Sequence, residues 1–294
     1  MRNQQKHYLI LILLALIWGS SFILMEKGLH TNRGVNTYSY MQVGALRIFI
    51  AFISLIPFLY FGLRRITFDK IKPLLIVGLI GNGIPAFLFT LAQDSLESSF
   101  VGILNSLTPI FTLIIGIYYF SSKTSILNVI GILIGFFGAF LISFPKIQNL
   151  DEFNIPILAV ILATIFYGIS LNIIKKDLKD LDAISITSLS FLFIGPIAGY
   201  YIFNTDFLEI ASTDNGLESL LYIFILGTLC TSLPVIIFNK LVKETSAIFA
   251  ASVTYLIPIV ALFWGAIDGE LITKYHVIGM IVILSGVYLV NKKD

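Results

Sequence analysis

Apolar residues run along this chain in long unbroken blocks, separated by short polar connections. Ten blocks stand out, at residues 8–29, 39–61, 71–92, 100–120, 126–144, 155–174, 183–203, 217–238, 247–266 and 275–290. Each is bounded by charge or turn residues, and a helix needs roughly 20 mostly apolar residues to cross the hydrocarbon core. The runs are continuous, not alternating, and about twice the length of a barrel strand, which excludes a transmembrane β-barrel. The pattern predicts ten membrane-spanning helices joined by loops too short to hold a catalytic domain. Arg2 and Lys6 before the first block resemble the start of a secretory leader. The apolar run resumes at Phe22 to Met25, however, and no small-residue cleavage site follows its core, so the block is expected to stay as span 1.

Composition agrees with the pattern. Of 294 residues, 57% are hydrophobic and only 12% charged, about half the charge of an ordinary soluble domain. Lipid is then the expected partner for most of the outer surface. The net charge of +2 is dispersed, so nucleic acid is not an expected partner. The one cysteine, Cys230, cannot form an internal disulfide.

Basic residues orient the spans. Ten spans place both termini on one side. Of the 19 Lys and Arg residues, fourteen fall on that side, four on the other, and Arg47 lies inside a span. Both termini are therefore expected in the cytoplasm.

An internal repeat appears at an offset of 149 residues. It sets Trp18-Gly19-x-Ser21 on Tyr167-Gly168-x-Ser170, Gly78 on Gly227, Pro85 on Pro234 and Phe89 on Phe238. Leu107-x-Pro109 falls on Leu256-x-Pro258. Prolines and glycines recurring at one offset across three spans predict two halves, residues 1–149 and 150–294. Five spans per half is an odd number, so tandem halves have opposite orientation. Loop charges agree: Arg64, Arg65, Lys70 and Lys72 follow span 2, whereas Asp206, Glu209, Asp214 and Glu218 follow span 7. An all-α integral membrane fold of two inverted five-helix repeats is a transporter architecture.

These residues resemble the EamA family of the drug/metabolite transporter superfamily. The likeness rests on Trp18, Gly19 and Phe22 in span 1, "ALRIFIA" around Arg47 in span 2 and "LTPIFTLIIG" in span 4. It continues in "LIPIVALFWGAIDGE", where Gly269-Glu270 resembles the family's Gly-Glu after span 9, and in Gly279 and Gly286 of span 10. The first half departs from the family, with Phe120-Ser121 where that Gly-Glu would stand. The resemblance implies a basket of ten helices, with spans 1, 3, 4, 6, 8 and 9 around a central cavity and spans 5 and 10 at the periphery. Members move amino acids, other metabolites, nucleotide sugars or organic cations.

Polar groups at mid-membrane depth are costly and mark the place to look for a substrate. The candidates are Trp18, Ser21, Arg47, Asn82, Asn105, Thr108, Tyr167, Ser170, Asn172, Thr231, Thr254 and Tyr255. Arg47 has two readings, an anchor for an anionic group or a structural group binding carbonyls. It lies about nine residues into span 2, roughly 13 Å deep. Trp18 and Tyr167 either stack on substrate or fill volume, and Ser21 and Ser170 either meet substrate or bond back to their own helices. Asn105 and Asn172 either face the cavity or join helices. Pro85, Pro109, Pro234 and Pro258 are hinge candidates or static kinks. Spans 5 and 10 carry small residues at four-residue spacing, including Gly131, Gly135 and Gly138, which read as scaffold or as a homodimer surface.

Absences narrow the function. No Asp or Glu lies at mid-membrane, so coupling to protons is either absent or carried by Glu26 at the outer end of span 1. No metal-ligand spacing, nucleotide-binding loop or nucleophile triad is present, and no cofactor or metal is expected. The expected function is export of small metabolites such as amino acids across a bacterial inner membrane, by alternating access around a midplane cavity. An integral-membrane transferase or protease, or a non-transporting scaffold, are the alternatives.

Overall fold

The computed structural model describes residues 2–30, 36–96, 98–122, 124–147, 155–267 and 273–291. The boundary at residues 149 and 150 and the Gly269-Glu270 pair lie outside the described residues. Apart from an isolated bridge between His30 and Asn36, the elements are helical.

The first half holds α1 (Arg2–Leu29), α2 (Tyr40–Leu63), α3 (Phe68–Gln93), α4 (Ser98–Asn105 and Thr108–Phe120) and α5 (Ile126–Ile147). The second holds α6 (Ile155–Lys176), α7 (Ala183–Phe203), α8 (Asp214–Glu244), α9 (Ala247–Ala251 and Val253–Ile267) and α10 (Lys274–Asn291). Seven described helices are long and apolar enough to cross a membrane; the apolar stretches Ile126–Leu141, Ala247–Val260 and Lys274–Val290 are shorter. A short helix, Phe207–Ala211, sits in the acidic connection between α7 and α8, where the hydropathy pattern predicts only a loop.

Local chemistry explains where several helices start. Ser39 and Gln42 form a reciprocal capping box that opens α2. Asp182, Thr213 and Ser246 accept backbone N–H bonds at the starts of α7, α8 and α9. A lysine closes the end of α8: Lys175 donates to the carbonyls of Val242, Lys243 and Thr245, while Lys243 donates to Leu181 in the connection before α7. Cations near C-terminal carbonyls satisfy orphan acceptors and oppose the negative end of the helix dipole.

Packing repeats between the halves. α4 and α3 lie against α6, and in the same manner α9 and α8 lie against α1. The first helix of each half therefore docks into the other half. α2 packs on α7, and α5 packs on α10. The glycines of α5 are used in that last contact. A Cβ on Gly131 would stand 2.8 Å from the Gly286 carbonyl, and one on Gly138 would stand 2.7 Å from the Ile283 amide. The small faces read as scaffold or dimer surface are thus packed on each other within one chain, while Leu133, Phe137, Ile281 and Tyr288 face outward.

α3 and α8 share an interruption. Each contains a five-residue π turn, Leu79–Gly83 and Thr228–Ser232, standing 149 residues apart. A π turn adds one residue to a helical turn and re-aims the side chains beyond it. Pro85 and Pro234 follow immediately, each the second residue of its next helical segment. Pro109 takes the same place after the break in α4, while Pro258 lies inside a helix. A proline's missing N–H costs no helical bond at a helix start, which fits Pro109 after the break in α4, whereas Pro85 and Pro234 stand within the continuous helices α3 and α8 directly after their π turns.

Candidate functional site

The helices enclose a central cavity with about 1030 Å³ of space outside the protein atoms, open solvent at its mouth included. Its wall is built from both halves. Nine pairs of lining residues stand 149 apart, among them Trp18 with Tyr167, Asn82 with Thr231 and Phe89 with Phe238. Ser21 with Ser170 and Asn105 with Thr254 are two more.

The aromatic part of the wall is rigidly held. The Trp18 indole N–H donates to the Cys230 carbonyl at 3.1 Å, and its ring meets Phe238 edge to face at 4.9 Å. Tyr167 stacks on Phe89 at 5.8 Å, and Phe22 meets Phe89 edge to face. Aromatic pairs in these geometries contribute beyond simple area burial. The hydroxyl of Ser21 is spent on the Trp18 carbonyl at 2.7 Å. Ser170 lies against Gly81, where no side chain larger than hydrogen fits without displacement.

Polar groups cluster at the helix breaks. Asn82 donates from Nδ2 to the Val77 carbonyl at 3.3 Å, and Thr231 donates from Oγ1 to the Leu226 carbonyl at 2.8 Å. Thr108 donates to the Asn105 carbonyl and side-chain oxygen. Thr254 donates to Ala251, and Ser106 joins the two breaks by donating to the Thr254 carbonyl at 3.1 Å.

Arg47 is the charged residue of the wall. It is the eighth residue of α2, and its Nε donates to Thr231 Oγ1 at 2.9 Å. The approach of α2 to α8 depends on Gly227, whose absent Cβ would stand 3.1 Å from the Arg47 carbonyl. Among the described residues that line the cavity there is no Asp, Glu, Lys or His.

Two sequence candidates stand elsewhere. Asn172 is buried between helices and donates to the carbonyls of Thr112 and Gly168 at 3.0 and 2.8 Å, tying α6 to α4. Tyr255 is fully buried, with its ring against Gly135 and its hydroxyl donating to the Ile132 carbonyl at 2.8 Å. Glu26 is also outside the wall; it accepts from Ser98 at 3.0 Å near one end of α1. Conversely, Asn239 lines the cavity although the sequence did not mark it; its Nδ2 donates to Thr187 Oγ1 at 2.9 Å. Phe89 and Phe238 also line it, and their shared repeat offset was the available signal.

The architecture has known relatives. The model of the EamA-like transporter family matches twice, at residues 5–144 and 154–292. The chain belongs to the EamA-like transporter family. It is thus a multi-pass membrane transporter with a duplicated domain, in a family of transporters and not of enzymes. An uncharacterized transporter of Bacillus subtilis, YoaV, is 24% identical over 289 residues, covering 97% of this chain and 96% of its own. An uncharacterized transporter of Archaeoglobus fulgidus is 25% identical over 290 residues, 98% of this chain and 99% of its own. A WAT1-related protein of Arabidopsis thaliana, At4g01430, is 29% identical over 161 residues, 51% of this chain and 43% of its own. A solved crystal structure shares the fold with a TM-score of 0.72 at 14% identity, over 98% of this chain and 97% of its own. In this EamA-like chain residues from both family matches line one cavity.

Proposed function

We propose that this transporter exports small metabolites, amino acids among them, by alternating access. The two halves, residues 1–149 and 150–294, are inverted relative to each other, and both termini are cytoplasmic in a bacterial inner membrane. The observation that carries this reading is the set of nine repeat-related pairs around one cavity. A wall that is nearly two-fold symmetric can present similar surfaces to either side as the halves rock. The opposed loop charges and the excess of basic residues on one side support the inversion and the orientation.

Contacts between the halves lie at both ends of the assembly. At one end Arg65 pairs with Asp182, Lys70 with Asp180 and His7 with Glu244. At the other, Gln42 donates to Asp206 at 2.7 Å, Tyr38 to the Gly216 carbonyl and Ser219 to the Lys27 carbonyl. Alternating access requires one set to open while the other holds. The paired prolines beside the π turns are proposed as the points where α3 and α8 flex. With no carboxylate among the described residues of the cavity wall, exchange or facilitated movement fits better than proton coupling. A pair of chains would meet through the outward faces of α5 and α10, since their glycine faces are already packed together.

The test compares metabolites released by cells with and without the protein, using an untargeted survey of the medium. Release of a defined set of small metabolites that requires the intact chain supports export. Identical media from the two strains would remove it.

A further inference from the structure

We infer that the cavity recognises its substrate through a single carboxylate, bound by the free face of Arg47, with an apolar body laid against the aromatic wall. The inference deepens the transport reading above and rests on it.

The cavity departs from its own symmetry at Arg47. Arg47 is the eighth residue of α2, and the eighth residue of α7 is Ser190, which carries no charge and is not among the described lining residues. The second half therefore supplies no matching cation. A guanidinium has five N–H donors in a planar fork. Nε is bonded to Thr231, and the Nη groups have no protein acceptor among the described residues. Part of the side chain remains open to the cavity.

A structural arginine at this depth would be expected to spend its fork on helix carbonyls or on a carboxylate, because a buried unpaired charge is costly. Arg47 does neither among the described residues. Thr231 fixes the fork by its Nε edge, and Thr231 is itself held by the Leu226 carbonyl of the π turn. The two Nη groups are left as a preset bidentate receptor for an oxyanion.

The rest of the wall narrows the ligand. A dianionic phosphate would call for a second cation, and none is among the described residues that line the cavity. A cationic ligand would meet Arg47 without any acidic residue among the described lining to offset it. A single carboxylate balances the one positive charge. Trp18, Phe89 and Tyr167 offer ring surface for an apolar body. Attraction is strengthened where water is scarce and the walls are apolar.

The test uses purified wild-type protein in detergent and one phenyl scaffold in four charge forms: 3-phenylpropionate, 3-phenylpropanamide, 2-phenylethylammonium and phenyl phosphate. Melting temperature is followed against ligand concentration. The expected result is a saturable rise with 3-phenylpropionate alone, weakened tenfold or more in Arg47→Gln and weakened less in Arg47→Lys. Should Arg47→Gln fail to fold, Arg47→Lys and the four-ligand ranking on the wild type still decide. Equal stabilisation by the amide or the ammonium compound, stronger stabilisation by phenyl phosphate, or an undiminished response in Arg47→Gln would overturn the inference. So would no response to any of the four. None of these results touches the release comparison, so transport of a cationic or neutral metabolite would defeat this inference and leave the transport reading standing.

Discussion

Asn82 and Thr231 stand 149 residues apart, and each donates its side-chain hydrogen to the carbonyl five residues before it, Val77 and Leu226. The two bonds cross equivalent π turns in α3 and α8, where the wider turn leaves a carbonyl within reach of a side chain. The halves differ in what happens next. Thr231 also accepts from Arg47, whereas Asn82 has no such neighbour among the described residues. One motif serves as a structural brace in one half and as the seat of the cavity's charge in the other.

Thr231→Val keeps the shape and removes the hydroxyl. It deletes both the brace and the acceptor that fixes Arg47. A net hydrogen bond is worth about 1 kcal/mol and one to a charged group more, so a loss of about 1–3 kcal/mol is expected in thermal or denaturant unfolding. Transport of the native metabolite should fall with it, and Thr231→Ser should restore both. Full transport in Thr231→Val would separate Arg47 placement from function.

Gly286→Val tests the α5–α10 seam. A Cβ at Gly286 would stand 2.5 Å from the Gly135 amide and 2.7 Å from the Gly131 carbonyl. Neither neighbour is a side chain that can rotate away, so the helices must separate. Overpacking of this kind costs about 1–3 kcal/mol, expected as a lower melting temperature of the detergent-purified protein. An unchanged melting temperature would show that the seam is not close-packed.

Asn172→Leu separates packing from substrate contact. It leaves the buried Thr112 carbonyl without its side-chain donor, a cost of about 1–3 kcal/mol. The melting temperature should drop while the order of preference among transported metabolites stays the same. A changed preference would return Asn172 to the site.

How far the sequence could be read follows from such positions. The repeat, and with it the pairs Trp18/Tyr167 and Phe89/Phe238, was visible because aromatics, glycines and prolines recur at one offset. The face that each residue presents was not. Ser170 lines the cavity and Asn172 does not, because two residues advance about 200° around a helix at 3.6 residues per turn. Tyr255, one residue past the cavity-lining Thr254, is turned toward α5 in the same way. The π turns were hidden too, since a single inserted residue leaves no periodic trace in an apolar run. They explain why polar Asn82 and Thr231 sit in mid-helix: each meets a carbonyl that a regular helix would not offer at that distance along the chain.

The Arg65–Asp182 pair gives a dependence on pH. Burial alone would raise the Asp182 carboxyl, but the Ser185 amide and hydroxyl and the Arg65 guanidinium outweigh it and hold it below the ordinary carboxylate value. A carboxylate depressed in the folded state adds stability above its unfolded pKa and loses it as pH falls through the folded value. Acidification should therefore lower the wild-type melting temperature. Asp182→Ala, which also forfeits an N-cap worth about 1 kcal/mol, should start lower at neutral pH and approach the wild type in acid. Parallel curves for the two proteins would rule out the linkage.

The most direct measurement locks each end in turn. In a Cys230→Ser background, cysteines replace Arg65 and Asp182 at one end, or Lys27 and Ser219 at the other, and a short cleavable thiol-to-thiol linker joins each pair across the halves. Transport of the metabolite found in the release comparison is then followed in vesicles before linking, after linking and after cleavage of the linker. Rocking of the two halves around the cavity requires that either link alone stops transport and that cleavage restores it. Undiminished transport with either end held shut would contradict alternating access between these halves.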